Sequence, residues 1–534
     1  MDDPNIVYGG PLPSNSNRGC SSLGELIIRQ LAKESDKVAL INGVNHLQLT
    51  YGAILDQSLA IAGFLSELGI QRNDVVALIS ENRFEYPVTI FAAMYLGASV
   101  ALLNPVYTQR ELEHAIKVAK PKVVFVSTQA SLAAQKACMK IRRPVKFVHF
   151  ENGNSEHTWL KCLENSDRKL QQHSFMPKAV NIEEQVALIV MSSGTTGLPK
   201  AVQITQQNLI STFPITEEFL TSTNQTELVF VDVIPWFHVA GGVSMINWLV
   251  NGTRLVFLPK FSPTNYLRCI QQYRPNMLNV VPPIAVLLAK SPIVDQFDVS
   301  SVKTIICGAA PLSREVEDLI RFRLKVPSIR QAYGMSETTL AVLVQMDAEN
   351  KPGSVGRIRA GQWVKVVDTQ SGRPLGPFQC GELCFKGTLI MKGYIGNEKA
   401  IDEDGWLHTG DIGYYDDEKD FYIVDRLKEL IKYKGYQVPP AELEAILLSH
   451  PMVKDAAVVG MPDERVGELA VAFVVPVDGE QIAEKEIVSF VGGQVSEQKR
   501  LHGGVRFVGE IPKTASGKIL RRKLREIVRN KAKL

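Results

Sequence analysis

Residues 186–200 read VALIVMSSGTTGLPK, an apolar run followed by a polar loop. The apolar part predicts a buried β-strand over 186–190. The part from Ser192 to Lys200 combines four hydroxyl side chains, two glycines and one lysine. Glycines let the backbone approach a phosphate closely, amides and hydroxyls donate to its oxygens, and lysine adds a positive charge. The stretch indicates a strand that ends in a triphosphate-binding loop; the alternative is a Ser/Thr-rich surface turn.

This loop differs from a Walker A loop. The Walker pattern ends in Gly-Lys-Ser/Thr, and its last hydroxyl binds Mg²⁺. Here Lys200 follows Pro199 and precedes Ala201, so no hydroxyl occupies that place. The sequence therefore indicates a nucleotide-binding protein of another class.

Length and composition set further bounds. A chain of 534 residues exceeds the usual limit of one hydrophobic core, about 250–300 residues, so we expect two or more domains. A net charge of +3 indicates no nucleic-acid partner. The seven cysteines are irregularly spaced without a CxxC pair, which indicates neither a disulfide framework nor a zinc site. No N-terminal stretch resembles a signal peptide. The apolar run 87–103 predicts a buried helix followed by a core strand, so no stable membrane insertion is expected.

The pattern of the chain changes twice. Helical patterns over 23–32 and 54–68 alternate with strand patterns over 75–79, 123–126 and 145–150, which predicts parallel sheets covered by helices. Segments 355–367 and 381–385 predict antiparallel strands. After residue 425, a helix over 440–448, strands over 456–460 and 469–475 and a basic tail predict a small α+β domain.

Three later residues fit a nucleotide site. Glu337, in QAYGMSETT, lies at a predicted strand-to-loop junction, where a carboxylate beside phosphates suits Mg²⁺. Asp411, which ends WLHTGD, is suited to binding two ribose hydroxyls, and Lys518 ends KTASGK near the C-terminus. Each has an ordinary alternative: a solvated loop glutamate, a turn aspartate and a surface lysine before a basic helix.

Together these segments resemble the adenylate-forming superfamily of acyl-CoA synthetases, coumarate-CoA ligases and beetle luciferases. The resemblance covers nearly the whole chain and is greatest to insect luciferases and luciferase-like fatty acyl-CoA synthetases, because of the run KELIKYKGYQ at 428–437. Ala201 and Ala309 depart from the family pattern, since glycine is commoner at both positions. The matching motifs lie at residues 192–200, 235–238, 308–312, 333–338, 405–411, 422–428, 431–437 and 512–518.

The resemblance implies an α/β fold with a large N-terminal domain of two mostly parallel αβαβα layers plus a distorted β-barrel, over residues 1–425. It implies a hinge at 426–428 and a mobile C-terminal α+β domain at 429–534 that carries a catalytic lysine. It also implies a two-step reaction that uses ATP, Mg²⁺ and coenzyme A. A carboxylate first attacks the α-phosphorus of ATP and pyrophosphate leaves; a thiol then attacks the acyl-adenylate and AMP leaves.

The resemblance also implies roles for individual residues. A rotation at the hinge residue Lys428 would exchange Lys518 for the face that carries Lys432. Glu337 would be the metal ligand. The implied catalytic residues are Lys518, His238 and Lys432, and the implied CoA face contains Lys434 and Gly435. The implied ATP-binding residues are Ser192, Ser193, Gly194, Thr195, Thr196, Gly197, Lys200, Gly308, Ala309, Ala310, Tyr333, Ser336, Asp411 and Arg426.

Three departures from beetle luciferases concern the acid. Thr212 replaces an arginine, Leu340 replaces a serine and Ala240 replaces an aromatic residue. All three make the implied acyl pocket more apolar or roomier, which favours a flexible alkyl chain, since each buried methylene contributes about 0.8 kcal/mol. We therefore expect an acid–thiol ligase for a medium- or long-chain fatty acid. The alternative is an insect luciferase that oxidises an enzyme-bound luciferyl-adenylate with O₂.

The C-terminal tail supports two further expectations. Residues 518–533 are strongly basic and allow a non-catalytic binder of membrane or RNA, but their apolar stripe favours a docked helix with a solvated basic face. The last residues, Ala532-Lys-Leu534, are close to the peroxisomal Ser-Lys-Leu signal. They predict recognition by the import receptor and a peroxisomal location.

Overall fold

A computed structural model describes residues 3–12, 19–151, 157–164, 175–192, 199–214, 216–217, 228–310, 312, 314–346, 351–396, 399–434, 436–477, 479, 482–514 and 518–531. Several predicted features lie outside these residues and stay predictions. They are Ser193, Gly194, Thr195, Thr196 and Gly197 of the loop, Gly435 of the CoA face, and the C-terminal tripeptide.

Strands occur along the whole chain. They are β1 Ile6–Tyr8, β2 Val38–Asn42, β3 Gln48–Thr50, β4 Val75–Ile79, β5 Ser99–Leu103, β6 Val123–Val126, β7 Lys146–His149, β8 Val186–Ser192, β9 Lys200–Thr205, β10 Val229–Asp232, β11 Arg254–Phe257, β12 Met277–Val280, β13 Thr304–Cys307, β14 Ser328–Gly334, β15 Ala341–Val344, β16 Arg357–Ile358, β17 Gln362–Val367, β18 Gly381–Gly387, β19 Gly393–Tyr394, β20 Leu407–Tyr415, β21 Phe421–Arg426, β22 Ile431–Tyr433, β23 Tyr436–Val438, β24 Val453–Asp463, β25 Gly467–Pro476 and β26 Val505–Phe507.

Helices separate most of the strands. The α-helices are Leu23–Lys33, Tyr51–Glu67, Glu85–Tyr95, Gln109–Ala119, Thr128–Lys140, Trp159–Glu164, Gln206–Ile210, Val239–Val250, Pro263–Tyr273, Pro282–Lys290, Arg314–Leu324, Pro440–Ser449, Glu484–Gly492 and Arg521–Lys531. Short 3-10 helices lie at Pro292–Gln296, Ser336–Thr338 and Glu497–Lys499. Local chemistry fixes some of their ends: Thr108 and Glu111 form a reciprocal capping box at the start of helix Gln109–Ala119.

The first layer is a seven-stranded sheet in the order β19-β9-β8-β5-β4-β6-β7. Strands β8, β5, β4, β6 and β7 are parallel, and β9 and β19 add to the β8 edge in antiparallel fashion. The apolar run 87–103 forms part of helix Glu85–Tyr95 and then β5, all of it buried, as predicted. The triphosphate-type loop therefore joins two antiparallel strands, β8 and β9, at one side of this sheet.

A second layer contains two smaller sheets that meet where β10 contacts β12. One has the order β10-β11-β2-β3 and the other β12-β13-β14-β15-β16. In each the first three strands are parallel and the remaining pairings are antiparallel. These two layers confirm the mostly parallel α/β architecture predicted for the N-terminal part.

The sheet in the order β1-β17-β18-β20-β21 is entirely antiparallel. This sheet is the part of the N-terminal domain for which we expected a distorted barrel. An isolated β-bridge between Gly356 and Phe421 joins its last strand, β21, to the residue before β16. After β21 the chain enters a separate five-stranded sheet, formed by β22 to β26, with helices packed on it. The predicted hinge at 426–428 begins at the last residue of β21 and ends before β22, and the small C-terminal α+β domain is present.

The tail forms helix Arg521–Lys531, which packs on β24. Leu524 and Val528 are fully buried there, while Ile527 is exposed. The apolar stripe thus docks the helix as expected. All seven cysteines are free thiols. Among the described residues, no helix is both long and apolar enough to cross a bilayer.

Candidate active site

A cleft of about 1820 Å³ lies between the N-terminal sheets and the C-terminal domain. Its size exceeds the roughly 300–1,000 Å³ of most single-ligand pockets, so it has room for more than one substrate. Many residues predicted from sequence meet in its wall: Ser192, Lys200, His238, Ala240, Gly308, Ala309, Ser336, Glu337, Leu340, Arg426, Lys428 and Lys518. Residues far apart in sequence thus form one site.

The base of the triphosphate-type loop is well defined. Ser192 and Lys200 lie directly opposite each other, as the last residue of β8 and the first of β9. The Lys200 ammonium is 5.0 Å from the centre of the Tyr394 ring, a cation–π distance. Both ends of the loop are therefore fixed by the sheet, and its lysine lies against an aromatic face at the cleft.

Tyr394 also connects the loop to the predicted metal ligand. Its hydroxyl donates to Oε1 of Glu337 at 2.7 Å, and the Glu337 side chain is almost fully buried. Sequence reasoning did not find Tyr394, because nothing near β19 marks it as functional. Only the strand pairing reveals its role, because β19 pairs with β9, the strand that begins at Lys200.

A second tyrosine–carboxylate pair, Tyr333 and Asp411, adjoins the cleft-lining residues Gly410 and Arg426, although neither member of the pair lines the wall. The Tyr333 hydroxyl donates to Oδ2 of Asp411 at 2.6 Å. Burial and the Asp411 charge raise the pKa of Tyr333 well above its usual value, so the phenol stays a donor. Oδ1 of Asp411 is 3.1 Å from Nε of Arg426 yet, among described residues, accepts no well-aligned hydrogen bond. A buried carboxylate oxygen with spare acceptor capacity suits a ligand hydroxyl.

His238 lies just before helix Val239–Val250, with its ring in the cleft wall. The preceding Trp236 holds this segment, because its ring N–H donates to Asp232 at 2.8 Å. Burial lowers the pKa of His238 to about 4, so the ring is neutral at pH 7. Its Nε2 is buried and has no hydrogen-bond partner within the described part of the chain. A neutral imidazole aimed into a cleft can donate to or accept from a bound acid.

Lys518 reaches the same cleft from the C-terminal domain. Burial lowers the pKa of Lys518 to about 8; the Arg426 charge lowers it too, while Asp411 and Glu337 oppose both effects. Lys432 and Lys434 are exposed and lie outside the cleft wall. The structure therefore brings Lys518 to the site and leaves the face with Lys432 and Lys434 in solvent.

The implied ATP-binding segment 308–310 begins directly after β13. Gly308 and Ala309 line the cleft, whereas Ala310 and Tyr333 lie outside its wall. A Cβ on Gly308 would come within 3.2 Å of the Ala332 carbonyl, so a side chain there would be crowded. Ala309 has φ = 72°, in the left-handed region that favours glycine. This conformation gives a physical reason why glycine suits position 309.

The predicted acyl pocket needs one correction. Ala240 and Leu340 line the cleft, but Thr212 is fully buried behind its wall. Its hydroxyl donates to the Leu209 carbonyl at 2.6 Å and accepts from the Asn247 amide at 2.7 Å. These bonds hold the side chain inside the protein, so Thr212 does not line the cleft as predicted.

Comparisons with known proteins decide the family. The model of the AMP-binding enzyme family matches residues 27–395, and that of the AMP-binding enzyme C-terminal domain matches residues 442–518. The chain belongs to the AMP-binding enzyme family. Like other members of this family it is an adenylate-forming enzyme of the group that contains acyl- and aryl-CoA ligases and luciferases, which confirms the resemblance found in the sequence.

Individual relatives of this AMP-binding enzyme have two kinds of activity. A luciferin 4-monooxygenase of Nipponoluciola cruciata is 40% identical over 502 residues, 92% of this chain and 91% of the relative. 4-Coumarate–CoA ligase 1 of Petroselinum crispum is 38% identical over 507 residues, 93% of this chain and 92% of the relative. The ATP-bound structure of MatB from Rhodopseudomonas palustris superposes with a TM-score of 0.83 at 26% identity, covering 94% of this chain and 98% of MatB.

Proposed function

We propose that this protein joins a medium- or long-chain fatty acid to coenzyme A, using ATP and passing through an acyl-adenylate. The observation that carries the proposal is the cleft wall beside His238. Val239, Ala240, Leu340 and Trp248 contribute apolar side chains to the lining of the cleft. An alkyl chain gains about 0.8 kcal/mol for each methylene buried on such a surface.

The first step needs positioning and charge neutralisation rather than a protein nucleophile. The carboxylate of the acid would lie beside neutral His238, which would donate a hydrogen bond to it. A charged imidazolium would instead form an ion pair and make the carboxylate a weaker nucleophile. Asp411, held by Tyr333, would bind ribose hydroxyls with its spare oxygen. The ammonium of Lys518 would stabilise the charge that develops on the α-phosphate as pyrophosphate leaves.

The residues at Glu337 fit a magnesium ion. Mg²⁺ binds through one or two carboxylates plus phosphate oxygens. Glu337 is a buried carboxylate on the cleft, its Oε1 is oriented by the Tyr394 hydroxyl, and Lys200 lies over the ring of that tyrosine. When bound, Mg²⁺ would neutralise phosphate charge. Tyr394 would keep the Glu337 carboxylate turned toward that ion.

The second step would use another arrangement of the two domains. Here Lys518 is in the cleft and Lys432 and Lys434 face solvent. The hydrogen bond from the Ala441 amide to Asp425, 2.9 Å long, joins the C-terminal domain to the last residues before the hinge. We propose that rotation at Lys428 breaks this bond, removes Lys518 and brings the face of Lys432 to the adenylate for attack by the CoA thiol.

A luciferase is the second candidate, because the relative from Nipponoluciola cruciata is a luciferin 4-monooxygenase. The pocket supports the ligase instead. With Thr212 behind the wall, the preference for an alkyl chain rests on Ala240 and Leu340, the two departures that do reach the cleft.

The test measures ATP-dependent formation of CoA thioesters by chromatography for saturated acids of C6–C18, with 4-coumarate and beetle luciferin as competitors and with light recorded. We expect thioester formation from the longer aliphatic acids and no light. The Lys518→Ala variant should lose adenylation while still forming thioester from supplied acyl-adenylate. Preference for 4-coumarate, or light from luciferin without any fatty acyl-CoA, would overturn the proposal.

A further inference from the structure

A second polar cluster lies at the edge of the cleft, on the antiparallel sheet that also carries Asp411. Cys384 on β18 and His408 on β20 are cross-strand partners, and Glu382 is two residues before Cys384. Residues two apart on a strand share a face, so all three side chains project to the same side. Their ligand atoms lie within 4.8 Å of one another.

Two of the three distances between ligand atoms are close to the edges of a tetrahedral metal site. Nδ1 of His408 lies 2.9 Å from Oε2 of Glu382 and 3.5 Å from Sγ of Cys384. For Zn²⁺, with bonds of about 2.3 Å to sulfur and about 2.0–2.1 Å to nitrogen and oxygen, the edges of the tetrahedron are about 3.5 Å for S···N and about 3.3 Å for N···O. The thiol–imidazole distance fits, and the imidazole–carboxylate distance needs to open by only about 0.4 Å.

A fourth residue orients the histidine. Nε2 of His408 lies 3.4 Å from Oδ2 of Asp402, on the opposite side of the ring from Glu382 and Cys384. A histidine that binds zinc generally donates its other ring N–H to a carboxylate or carbonyl, which fixes the tautomer and aims the lone pair at the metal. Asp402 is in position to do this for Nδ1 of His408.

The cluster is accessible from the cleft. Glu382, His408 and Asp402 all line the cleft, and the His408 side chain is 42% exposed, so the site opens to solvent. Cys384 is fully buried beneath them and packs against Trp406. Thiolate, imidazole and carboxylate together favour zinc over the oxygen-loving Mg²⁺.

We propose that Glu382, Cys384 and His408 form a zinc-type cation site, with Asp402 as the positioning residue and water at the fourth coordination place. The site is separate from Glu337. Scanning the sequence for cysteine pairs cannot find it, because its ligands are brought together by the pairing of two strands. Oε1 of Glu382 also accepts from the Gly410 amide at 2.8 Å, next to Asp411. One ligand of a bound ion, Glu382, would therefore also hold the backbone beside Asp411, the residue proposed to bind ribose.

Cobalt is the probe, because Co²⁺ bound to a thiolate gives a near-ultraviolet charge-transfer band that other ligands do not produce. The full-length enzyme, without ATP or Mg²⁺, is titrated with Co²⁺. We expect one equivalent to bind with this band, one equivalent of Zn²⁺ to remove it, and a large excess of Mg²⁺ to leave it unchanged.

Variants locate the site. Cys384→Ser should abolish the band, and His408→Gln, a change at a half-exposed side chain, should weaken Co²⁺ binding at least tenfold with an unchanged circular dichroism spectrum. Cys380→Ser is the matched control: this exposed cysteine lies four residues away, and its loss should leave the band intact. Glu337→Gln should also leave it intact. Absence of the band in the wild-type enzyme, or its persistence in Cys384→Ser, overturns the proposal.

Discussion

Raising the pH from 7 to 9 should slow adenylation about tenfold, because Lys518 loses its proton. Burial, reinforced by Arg426, lowers the pKa of Lys518 to about 8. The ammonium is the form that stabilises the transition state, so activity is present below this pKa and is lost as the pH rises through it. The effect is unusual for lysine, whose ordinary pKa near 10.5 would keep it charged over the whole range.

The size of the effect follows from the pKa. With a value of about 8, about nine-tenths of Lys518 is protonated at pH 7 and about one-tenth at pH 9. The ratio kcat/KM for ATP reports groups of the enzyme before ATP binds, so it should fall about tenfold over this interval. Bound ATP brings negative charge near Lys518, so kcat should fall later, at higher pH.

The assay follows pyrophosphate release with a saturating fatty acid, without CoA, from pH 6 to 9.5. Lys518→Arg is the matched control, because a guanidinium stays charged throughout. Its residual activity should show no loss between pH 7 and 9. The thioester step, started from supplied acyl-adenylate, should also lack the fall. A wild-type profile that is flat from pH 7 to 9, or one that falls in parallel with that of Lys518→Arg, would refute the reasoning.

Three further predictions concern other parts of the site. Tyr394→Phe removes the hydrogen bond to the Glu337 carboxylate, typically worth about 1.5–3 kcal/mol, and should raise the Mg²⁺ concentration needed for half-maximal rate at least tenfold; unchanged magnesium dependence would contradict this role. Ala309→Gly relieves a left-handed alanine and, after the entropy cost of glycine, should raise the free energy of unfolding by about 0.5–1 kcal/mol in urea. Thr212→Val breaks buried hydrogen bonds and should cost about 1–3 kcal/mol of stability without altering the preferred chain length of the acid. Ala240→Phe should shift that preference to shorter acids. A changed preference in Thr212→Val, with none in Ala240→Phe, would place Thr212 in the pocket.

Elements with strong local patterns were predictable from sequence. Strands 75–79 and 123–126 were placed at their observed bounds, because each is a compact apolar run ended by polar or breaking residues. The meeting of Lys200, Glu337 and Lys518 in one cleft also followed from motifs. Each of these motifs is a short run of consecutive residues, so the sequence alone is enough to recognise it.

Features that depend on the pairing of distant segments were not predictable. Tyr394 meets Glu337 because a two-residue strand adds to the edge of the first sheet, and no local pattern marks that event. Thr212 was misplaced for a related reason. Its position along the chain suggested the pocket, but its hydrogen bonds with Leu209 and Asn247 turn the side chain away from the cleft.

The two tyrosine–carboxylate bonds each join different sheets. Tyr394 extends from the seven-stranded sheet to Glu337, just beyond β14 of the second layer, and Tyr333 on β14 extends to Asp411 in the antiparallel sheet. The distances between substrate-binding groups are thus set by how three sheets sit against one another, not by any one of them. In a denaturant titration, catalytic rate should therefore be lost before the circular dichroism of the strands changes, since a slight separation of sheets disables the site while each sheet stays folded.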